Sequence, residues 1–550
     1  MKITAIPQFA RNLNRAQEVV RILSKYGLAD WLSQLNIGFG HGLFRGAEGD
    51  RLADVTREAR VRLALTELGT TFIKLGQILS TRADLVGLPL AVELSKLQAD
   101  VPADKPETVR ATIEKELRRK VDDVFETFDD VPLASASIAQ VHRATLPGGR
   151  PVVVKVQHPN IADRIQNDLE IVAGLAELAE KYVQEVRLYQ PKAIAAEFSR
   201  TLTRELDFGR ELRNLDRFIK NFKDDPTVRF PRPYPECSTG KVLVMDLLEG
   251  TPVALAGSIG TPEEREELAR KGARVFLAMI FRDGFFHADP HPGNWLVQHD
   301  GVAGLLDVGM VCQLTPTARE EMEELIISLG SNDAERLTAS LMHMCGQAGA
   351  RESPALTADV ADFLGYHFSQ PLDKLSIGSA LNEITDIIRR HHLILPTNIA
   401  MILRVLVLLE GTSRLLNPTF QLTEIIQPFQ RKMLTDRLSP RRQVRRLRSL
   451  LADWQDLIAK FPDELRDMIQ QARSGRIEVQ LEHHHLEPAV NRLVLGLITA
   501  SLVVGSSMLW ALKAPPTIQG VSVIAVLGFG TSILCTARLM IAIFRSRHLD

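Results

Sequence analysis

The chain has 550 residues, 66 basic and 67 acidic, for a formal net charge of −1. That balance excludes the strongly basic field of a nucleic-acid-binding protein, and the length predicts roughly two to four domains. Four cysteines, Cys237, Cys312, Cys345 and Cys535, stand far apart without CxxC spacing. They support neither a disulfide framework nor a zinc knuckle, and predict reduced thiols in a cytosol-like compartment.

Residues 1–120 read as a helical extension. The opening MKITAIPQFARNLNRAQEVV lacks the unbroken apolar core of a secretory signal. Arg11, Arg15 and Arg21 with few acids fit an amphipathic targeting helix, and fit a plain surface helix better. Leu65, Leu68, Phe72, Leu75 and Leu79, spaced by three and four, form one helical face. From residues 121 to 250 the pattern turns to strands. IAQVHRATL and PVVVKV flank a Pro147-Gly148-Gly149-Arg150 turn, a hairpin signal. One helix is predicted from about Pro191 to Phe222, followed by a second strand pair turning at Ser238-Thr239-Gly240. Residues 251–475 open on Thr261-Pro262-Glu263-Glu264, which combines a cap, Pro at the first helical position and early acids. The loop HADPHPGN follows, then a hairpin turning at Asp300-Gly301, then helices over residues 314–475.

Residues 476–550 differ in kind. Leu493–Leu512 is a run of 20 residues without a charge, and Ile518–Ala537 is a second of the same length. Each is long enough to cross a bilayer core of about 30 Å as a helix. The polar turn 513–517 joins them into a hairpin with both ends on one side. Arg492, Arg545 and Arg547 assign that side to the cytoplasm, with Lys513 weakening the bias. A buried helix pair is the competing reading.

Phosphoryl transfer needs a lid over the phosphates, a lysine on them, an acid to hold that lysine, metal-binding groups and a base. Lys155 stands on a strand directly after a hairpin, where a protein kinase keeps its phosphate-contacting lysine. Asp289 and Asn294 have the spacing of a kinase catalytic loop, in which Asp orients the nucleophile and Asn holds a metal. Asp307, in Asp307-Val308-Gly309, stands where the second metal-binding acid belongs. Each piece alone is common; all of them in order are not.

Four blocks then resemble the UbiB/AarF (ADCK-like) family of atypical kinase-like membrane proteins. They are Thr71-Phe72-Ile73-Lys74-Leu75-Gly76-Gln77, the alanine-rich stretch from Ala134 to His142, Glu205-Leu206-Asp207-Phe208 with Glu211 and Asn214, and HADPHPGN with its following Asp-Val-Gly. The resemblance covers residues 60–310 and, more loosely, the rest, since bacterial UbiB proteins also end in a membrane hairpin. It implies an α+β, atypical protein-kinase-like two-lobe fold with an N-terminal helical extension and a C-terminal transmembrane helical hairpin. It implies ATP and Mg²⁺ as cofactors, with Ala134, Ser135, Ala136 and Ser137 replacing the usual glycine-rich lid. Alanine and serine do not enter positive φ cheaply, so this lid is expected to be stiffer. Ser135 departs from the commoner three alanines and adds a hydroxyl.

By the same resemblance Glu211 pairs with Lys155, and Glu205 with Lys74. Glu205 and Glu211, six apart on the one predicted helix, would stand about 240° around its axis from each other and face different partners. Lys74 and Gln77 would share one face of a helix across the mouth of the nucleotide site. The plain alternative for Lys74–Glu205 is a surface ion pair worth under about 1 kcal/mol. Val242–Leu248 matches the strand entering a kinase hinge, with Met245 a gatekeeper to adenine or simply core. His287 and His291 read as structural hydrogen-bonding groups before metal ligands, and His483-His484-His485 as the end of a strand. Arg441, Arg442, Arg445, Arg446 and Arg448 form a basic helix segment that anionic lipid would attract, or a solvated face.

The function implied is ATP-binding phosphoryl chemistry on a membrane, as an ATPase or a small-molecule- or lipid-directed kinase supporting ubiquinone (isoprenoid quinone) biosynthesis. Expected partners are the bilayer, quinone-biosynthesis proteins and isoprenoid quinone precursors, with no nucleic acid. The expected location is a bacterial inner membrane with the catalytic domain in the cytoplasm, or an organellar inner membrane. Two competitors are a protein kinase acting in trans and a non-catalytic, nucleotide-switched scaffold or lipid chaperone.

Overall fold

The structure is a computed structural model and describes residues 13–28, 55–97, 101–258, 260–346, 354–368, 377–426, 428–429, 486–518 and 521–546. The arginine-rich segment 441–448 and the histidine tract 483–485 lie outside them. The chain divides into two compact units, Met1–Arg442 and Gln443–Asp550.

The first unit begins with helices α1 (Leu13–Lys25), α2 (Arg57–Leu68), α3 (Thr70–Leu79), α4 (Ala83–Val86), α5 (Leu88–Leu94), α6 (Pro106–Leu117) and α7 (Val121–Val124). Gly69, at φ 95°, is the single residue between α2 and α3, and its N–H caps Leu65 and Thr66 carbonyls. Only glycine adopts that backbone cheaply, so the chain turns there without a loop. The one helix expected across Leu65–Leu79 is therefore two; Leu65, Leu68 and Phe72 of its apolar set are buried, while Leu75 and Leu79 are half-buried. α3 packs so tightly that a Cβ at Gly76 would lie 2.3 Å from Leu97 Cδ1 and 2.9 Å from Leu65 Cδ1.

An antiparallel sheet follows, with β1 (Thr127–Phe128), β2 (Ala134–Ser135), β3 (Ala139–Leu146), β4 (Arg150–Gln157) and β6 (Val242–Asp246). Its order is β1-β3-β4-β6, and β2 also pairs with β3. The β3–β4 turn is the predicted one, with Gly148 and Gly149 at φ 92° and 75°. Successive strand residues face opposite sides. Val152, Val154, Val156, Val242 and Val244 form a small core with Val109 and Ile113 of α6. Val153, Leu243 and Met245 face the main core on the other side. That alternation turns Lys155 inward.

The single helix expected over Pro191–Phe222 is two: α9 (Pro191–Glu205) and α10 (Phe208–Asn221). Asp207 separates them, and its side chain accepts the Gly209 N–H at 3.0 Å as the N-cap of α10. An aspartate bonded to backbone at a helix start competes with helix continuation. α8 (Ile161–Tyr182) precedes the pair. The second strand pair is also reduced. β5 (Val228–Arg229) joins another sheet, pairing with Ala303–Leu305 further along the chain, and only Pro233 bridges Met245. Pro231, Pro233 and Pro235 have no N–H for a regular ladder.

The C-terminal part of this unit opens with β7 (Thr251–Pro252) and α11 (Pro262–Leu277); the expected Thr261 cap is there, and Glu264 completes a capping box with it. A π-helical segment, Ala278–Asp283, carries the chain to Gly284, at φ 60°. Wide helical turns of this type often border functional sites. β8 (Phe285–His287), β9 (Trp295–Val297), β10 (Ala303–Leu305) and β11 (Val311–Gln313) then frame the HADPHPGN and Asp-Val-Gly loops. Gly301, at φ 74°, turns the β9–β10 hairpin. Helices α12 (Pro316–Ser331), α13 (Ala334–Met344), α14 (Pro354–Phe368), α15 (Ile377–Arg390) and α16 (Thr397–Leu416) complete it.

Gly272 of α11 lies against the buried Trp295 indole, where a Cβ would sit 1.6 Å from a ring carbon. A ring locked in the core cannot give way, so Gly272→Ala is expected to destabilise by about 1–3 kcal/mol. A lowered midpoint in thermal unfolding of the purified chain would show it, and an unchanged midpoint would contradict this packing.

The second unit holds α17 (Leu486–Ala511) and α18 (Val523–Ser546), joined through a two-stranded turn, β12 (Thr517–Ile518) with β13 (Val521–Ser522). The second helix thus starts five residues into the uncharged run that predicts it. Both helices are long and apolar enough to cross a membrane, over Val494–Ala511 and Val523–Met540. Thr499, Ser506, Ala525 and Ser532 are buried. A Cβ at Gly528 would meet Ser506 Oγ at 2.1 Å, so small residues let the two backbones approach.

Candidate functional site

One row of side chains crosses the N-terminal sheet. Ala134 pairs with Val141, Val141 with Lys155, and Lys155 with Leu243. Residues directly across antiparallel strands share a face, so the first lid residue and the lysine lie on one side, two strands apart. The Lys155 ammonium meets Glu211 of α10 at 2.9 and 2.8 Å, and Asp307 at 3.8 Å. Burial alone would lower its pKa, but the carboxylates of Asp307 and Glu211 outweigh that and hold it above the ordinary lysine value.

Asp307 is the counterpart. Lys155 pulls its pKa down to about 2, against burial and with help from the Gly309 N–H, which donates to Oδ1 at 2.7 Å. Its side chain is 51% exposed, so the carboxylate is ionised and open to the cleft. Asn214, one turn beyond Glu211, donates to the Val308 carbonyl at 3.3 Å. α10 therefore grips both the lysine and the Asp-Val-Gly turn.

His287 joins the two loops. Its Nδ1 accepts the Asp289 N–H at 2.9 Å, while Nε2 donates to the Asp307 carbonyl. Those partners define one neutral tautomer, and burial lowers the pKa despite Asp289 and Asp307 nearby. The structural reading of His287 is the one found. His291 turns back on its own loop, where Nδ1 accepts the Gly293 N–H at 3.1 Å. Asn294 accepts the Leu306 N–H through its carbonyl at 3.0 Å, which sets it beside the Asp307 segment.

Lys74 Nζ lies 2.9 Å from Glu205 Oε2, with side chains only 21% and 9% exposed. This is a part-buried pair, not the surface pair given as the alternative. Burial opposes the Lys74 charge and Glu205 restores it, with Asp307 adding to the effect. Glu205 Oε1 is buried with no hydrogen-bond partner. Glu205 and Glu211 do face different lysines, but from two helices and not from opposite sides of one. Gln77 shares the helix with Lys74, yet its amide donates to the Leu97 carbonyl at 3.0 Å. It ties α3 to the end of α5.

In the lid, none of Ala134, Ser135, Ala136 and Ser137 has positive φ. Ala136 N–H donates to Ala139 O at 2.8 Å, and the Ala136 carbonyl accepts from His158 Nε2 at 2.8 Å. Asp104 holds the other His158 nitrogen at 2.6 Å. Ser135 Oγ is buried without a partner. Met245 is 7% exposed, pairs with Val153 and belongs to the main core.

Sequence reasoning missed four contributors. Asp104 and His158 brace the lid. Arg404 of α16 places a guanidinium nitrogen 3.7 Å from Asp289 Oδ1, and Thr412 of the same helix donates to the Pro290 carbonyl at 3.1 Å. The one available signal was a lone charge in Asn398-Ile399-Ala400-Met401-Ile402-Leu403-Arg404-Val405-Leu406-Val407-Leu408-Leu409.

Comparison with known proteins accords with this geometry. Residues 96–341 match the ABC1 atypical kinase-like domain, residues 360–421 the UbiB helical domain, and residues 479–545 the ABC1/UbiB kinase-like C-terminal domain. A protein from Azotobacter vinelandii named probable protein kinase UbiB is 33% identical over 472 residues, covering 85% of this chain and 86% of its own. The chain belongs to the UbiB/AarF family of ABC1 kinase-like proteins. A Clostridium pasteurianum protein described only by its place in the hydrogenase 1 5′ region is 29% identical over 97% of this chain and 99% of its own. Among solved structures, Rv3197 of Mycobacterium tuberculosis in complex with erythromycin is 27% identical, with a TM-score of 0.40, covering 58% of this chain and 81% of that one. The fold is the α+β, two-lobe kinase-like one expected, with two apolar C-terminal helices. The UbiB helical domain contains Arg404 and Thr412, the contributors that reach the HADPHPGN loop from outside the kinase-like domain.

Proposed function

We propose that this UbiB-family chain binds ATP with Mg²⁺ and uses it in phosphoryl chemistry at a membrane, as an ATPase or a small-molecule- or lipid-directed kinase. The observation that carries the reading is the Lys155 ammonium held between Glu211 and Asp307, with Asp289 and Asn294 on the adjoining loop. A lysine kept charged and immobile in that place is a phosphate holder. Asp307 and Asn294 offer hard oxygen donors with one ionised carboxylate, a set that suits Mg²⁺ completed by phosphates and water. Bound there, the ion would neutralise charge on the phosphate oxygens.

The remaining roles belong to the chain. Lys155 holds the phosphates beneath the 134–137 lid, and backbone after Met245 takes the adenine edge. Asp289 orients a water or another hydroxyl and accepts its proton. His287, neutral and bonded to both loops, fixes the distance between Asp289 and Asp307.

The membrane assignment rests on the exposed apolar surface of the C-terminal helices, where Leu497, Val504, Leu527 and Leu534 are each 67–70% exposed. Such a surface needs lipid or a partner to cover it. The same hairpin would keep the site near lipid-soluble quinone precursors, in keeping with the UbiB name of the relatives. We place the kinase-like unit in the cytoplasm of a bacterial inner membrane.

The test is ATP hydrolysis by the full chain, with and without vesicles containing a quinone-like phenol. Stimulation supports the reading; the absence of turnover under every condition refutes it. A protein kinase acting in trans shares every core residue and is the activity the relatives' name gives. Robust labelling of a protein substrate would favour it, but Lys74 on α3 is bound to Glu205 at the cleft, where a substrate would dock. Full function of an Asp289→Asn variant in cells would instead point to a scaffold.

A further inference from the structure

The catalytic loop HADPHPGN carries no lysine or arginine. Its two histidines are already bonded: His287 bridges the Asp289 N–H and the Asp307 carbonyl, and His291 accepts from Gly293. Lys155 and Lys74 both sit toward Asp307, bound to Glu211 and Glu205. At the Asp289 end the chain needs a separate cation if charge on a transferring phosphoryl group is to be met there.

Arg404 stands at that end. Its side chain is 19% exposed and makes no hydrogen bond among the described residues. Its one counter-charge is Asp289, and 3.7 Å is too long for a hydrogen bond. A mostly buried guanidinium with its donors unspent is costly, and such a fork matches phosphate geometry. The position is also enforced. Thr412, two turns further along α16, is bonded to the Pro290 carbonyl, so the helix that presents Arg404 is fastened to the catalytic loop itself.

We infer that Arg404 is a catalytic residue supplied by the helical domain, donating to the oxygens of the transferring phosphoryl group beside Asp289. The kinase-like domain of residues 96–341 is then incomplete alone. This rests on the phosphoryl-transfer reading above and adds that the acceptor end is charged from outside the kinase-like domain.

The test uses the full chain in lipid nanodiscs, as wild type, Arg404→Gln and Arg404→Lys. Affinities are measured for Mg-ADP, and for Mg-ADP with aluminium fluoride as a mimic of the transferring group, beside ATP turnover. The expected result for Arg404→Gln is a Mg-ADP affinity within about threefold of wild type, fluoroaluminate tightening lost, and kcat down by about a hundredfold or more. Arg404→Lys should recover part of both losses, which a purely structural role would not produce. An Arg404→Gln chain that keeps kcat and fluoroaluminate tightening within threefold overturns the inference, as does one that loses Mg-ADP binding in parallel. If wild type tightens on fluoroaluminate without turning ATP over, the ATPase reading fails, and the Arg404 comparison is still decided by binding. Wild type without nucleotide binding sinks both.

Discussion

Asp307→Asn is expected to lower ATP turnover by at least about a hundredfold, the scale on which preorganised charge in an active site acts. The substitution keeps shape and the Gly309 hydrogen-bond acceptor but removes the charge that Lys155 holds ionised, with a pKa of about 2. Two consequences should appear together. The Mg²⁺ concentration for half-maximal activity should rise, because the one fully ionised, half-open carboxylate of the proposed metal set is gone. Lys155 should remain paired with Glu211, whose two oxygens lie 2.9 and 2.8 Å away, so the protein should stay folded. Turnover and Mg²⁺ dependence are read from phosphate release across a metal titration. A variant with unchanged Mg²⁺ dependence and rate would remove Asp307 from the site.

Lys74→Met should destabilise the chain by about 3–5 kcal/mol, the cost typical of stripping one partner from a buried ion pair. Glu205 is 9% exposed at its side chain, and one of its oxygens already lacks a hydrogen bond. Without Lys74 the other would lose its partner as well. The double variant Lys74→Met with Glu205→Leu should regain most of the loss, because well-packed apolar residues can replace such a pair at little cost. Thermal unfolding of the three proteins distinguishes this from a surface pair, for which the single variant would shift the midpoint hardly at all. The same pair holds α3 to α9, so the double variant also separates stability from any covering role of α3 at the cleft. Increased labelling of added protein substrates by the double variant would show that α3 had been blocking them.

How much of this was legible beforehand depends on the range of the interaction. The Pro-Gly-Gly and Asp-Gly hairpins, the Thr261 cap and the order of Lys155, Asp289, Asn294 and Asp307 are all readable, since turn and cap chemistry act over a few residues. The helix break at Asp207 is also local, since its side chain caps the helix that follows. The second strand pair fails on the same local scale: Pro231, Pro233 and Pro235 have no N–H to donate to a ladder.

By itself, then, the sequence determined the parts list of a phosphate-handling site and two uncharged helices of membrane length. Local turn chemistry and hydropathy are properties of short stretches, and need no partner to be read. Only the tertiary structure decided which charges meet. Lys74 reaches Glu205 across 131 positions and Arg404 reaches Asp289 across 115, and nothing in a local window specifies such a pairing. It also decided that Lys155 points inward, because α6 covers the opposite face of its strand. The tautomer of His287 likewise follows from two loops that only folding brings together.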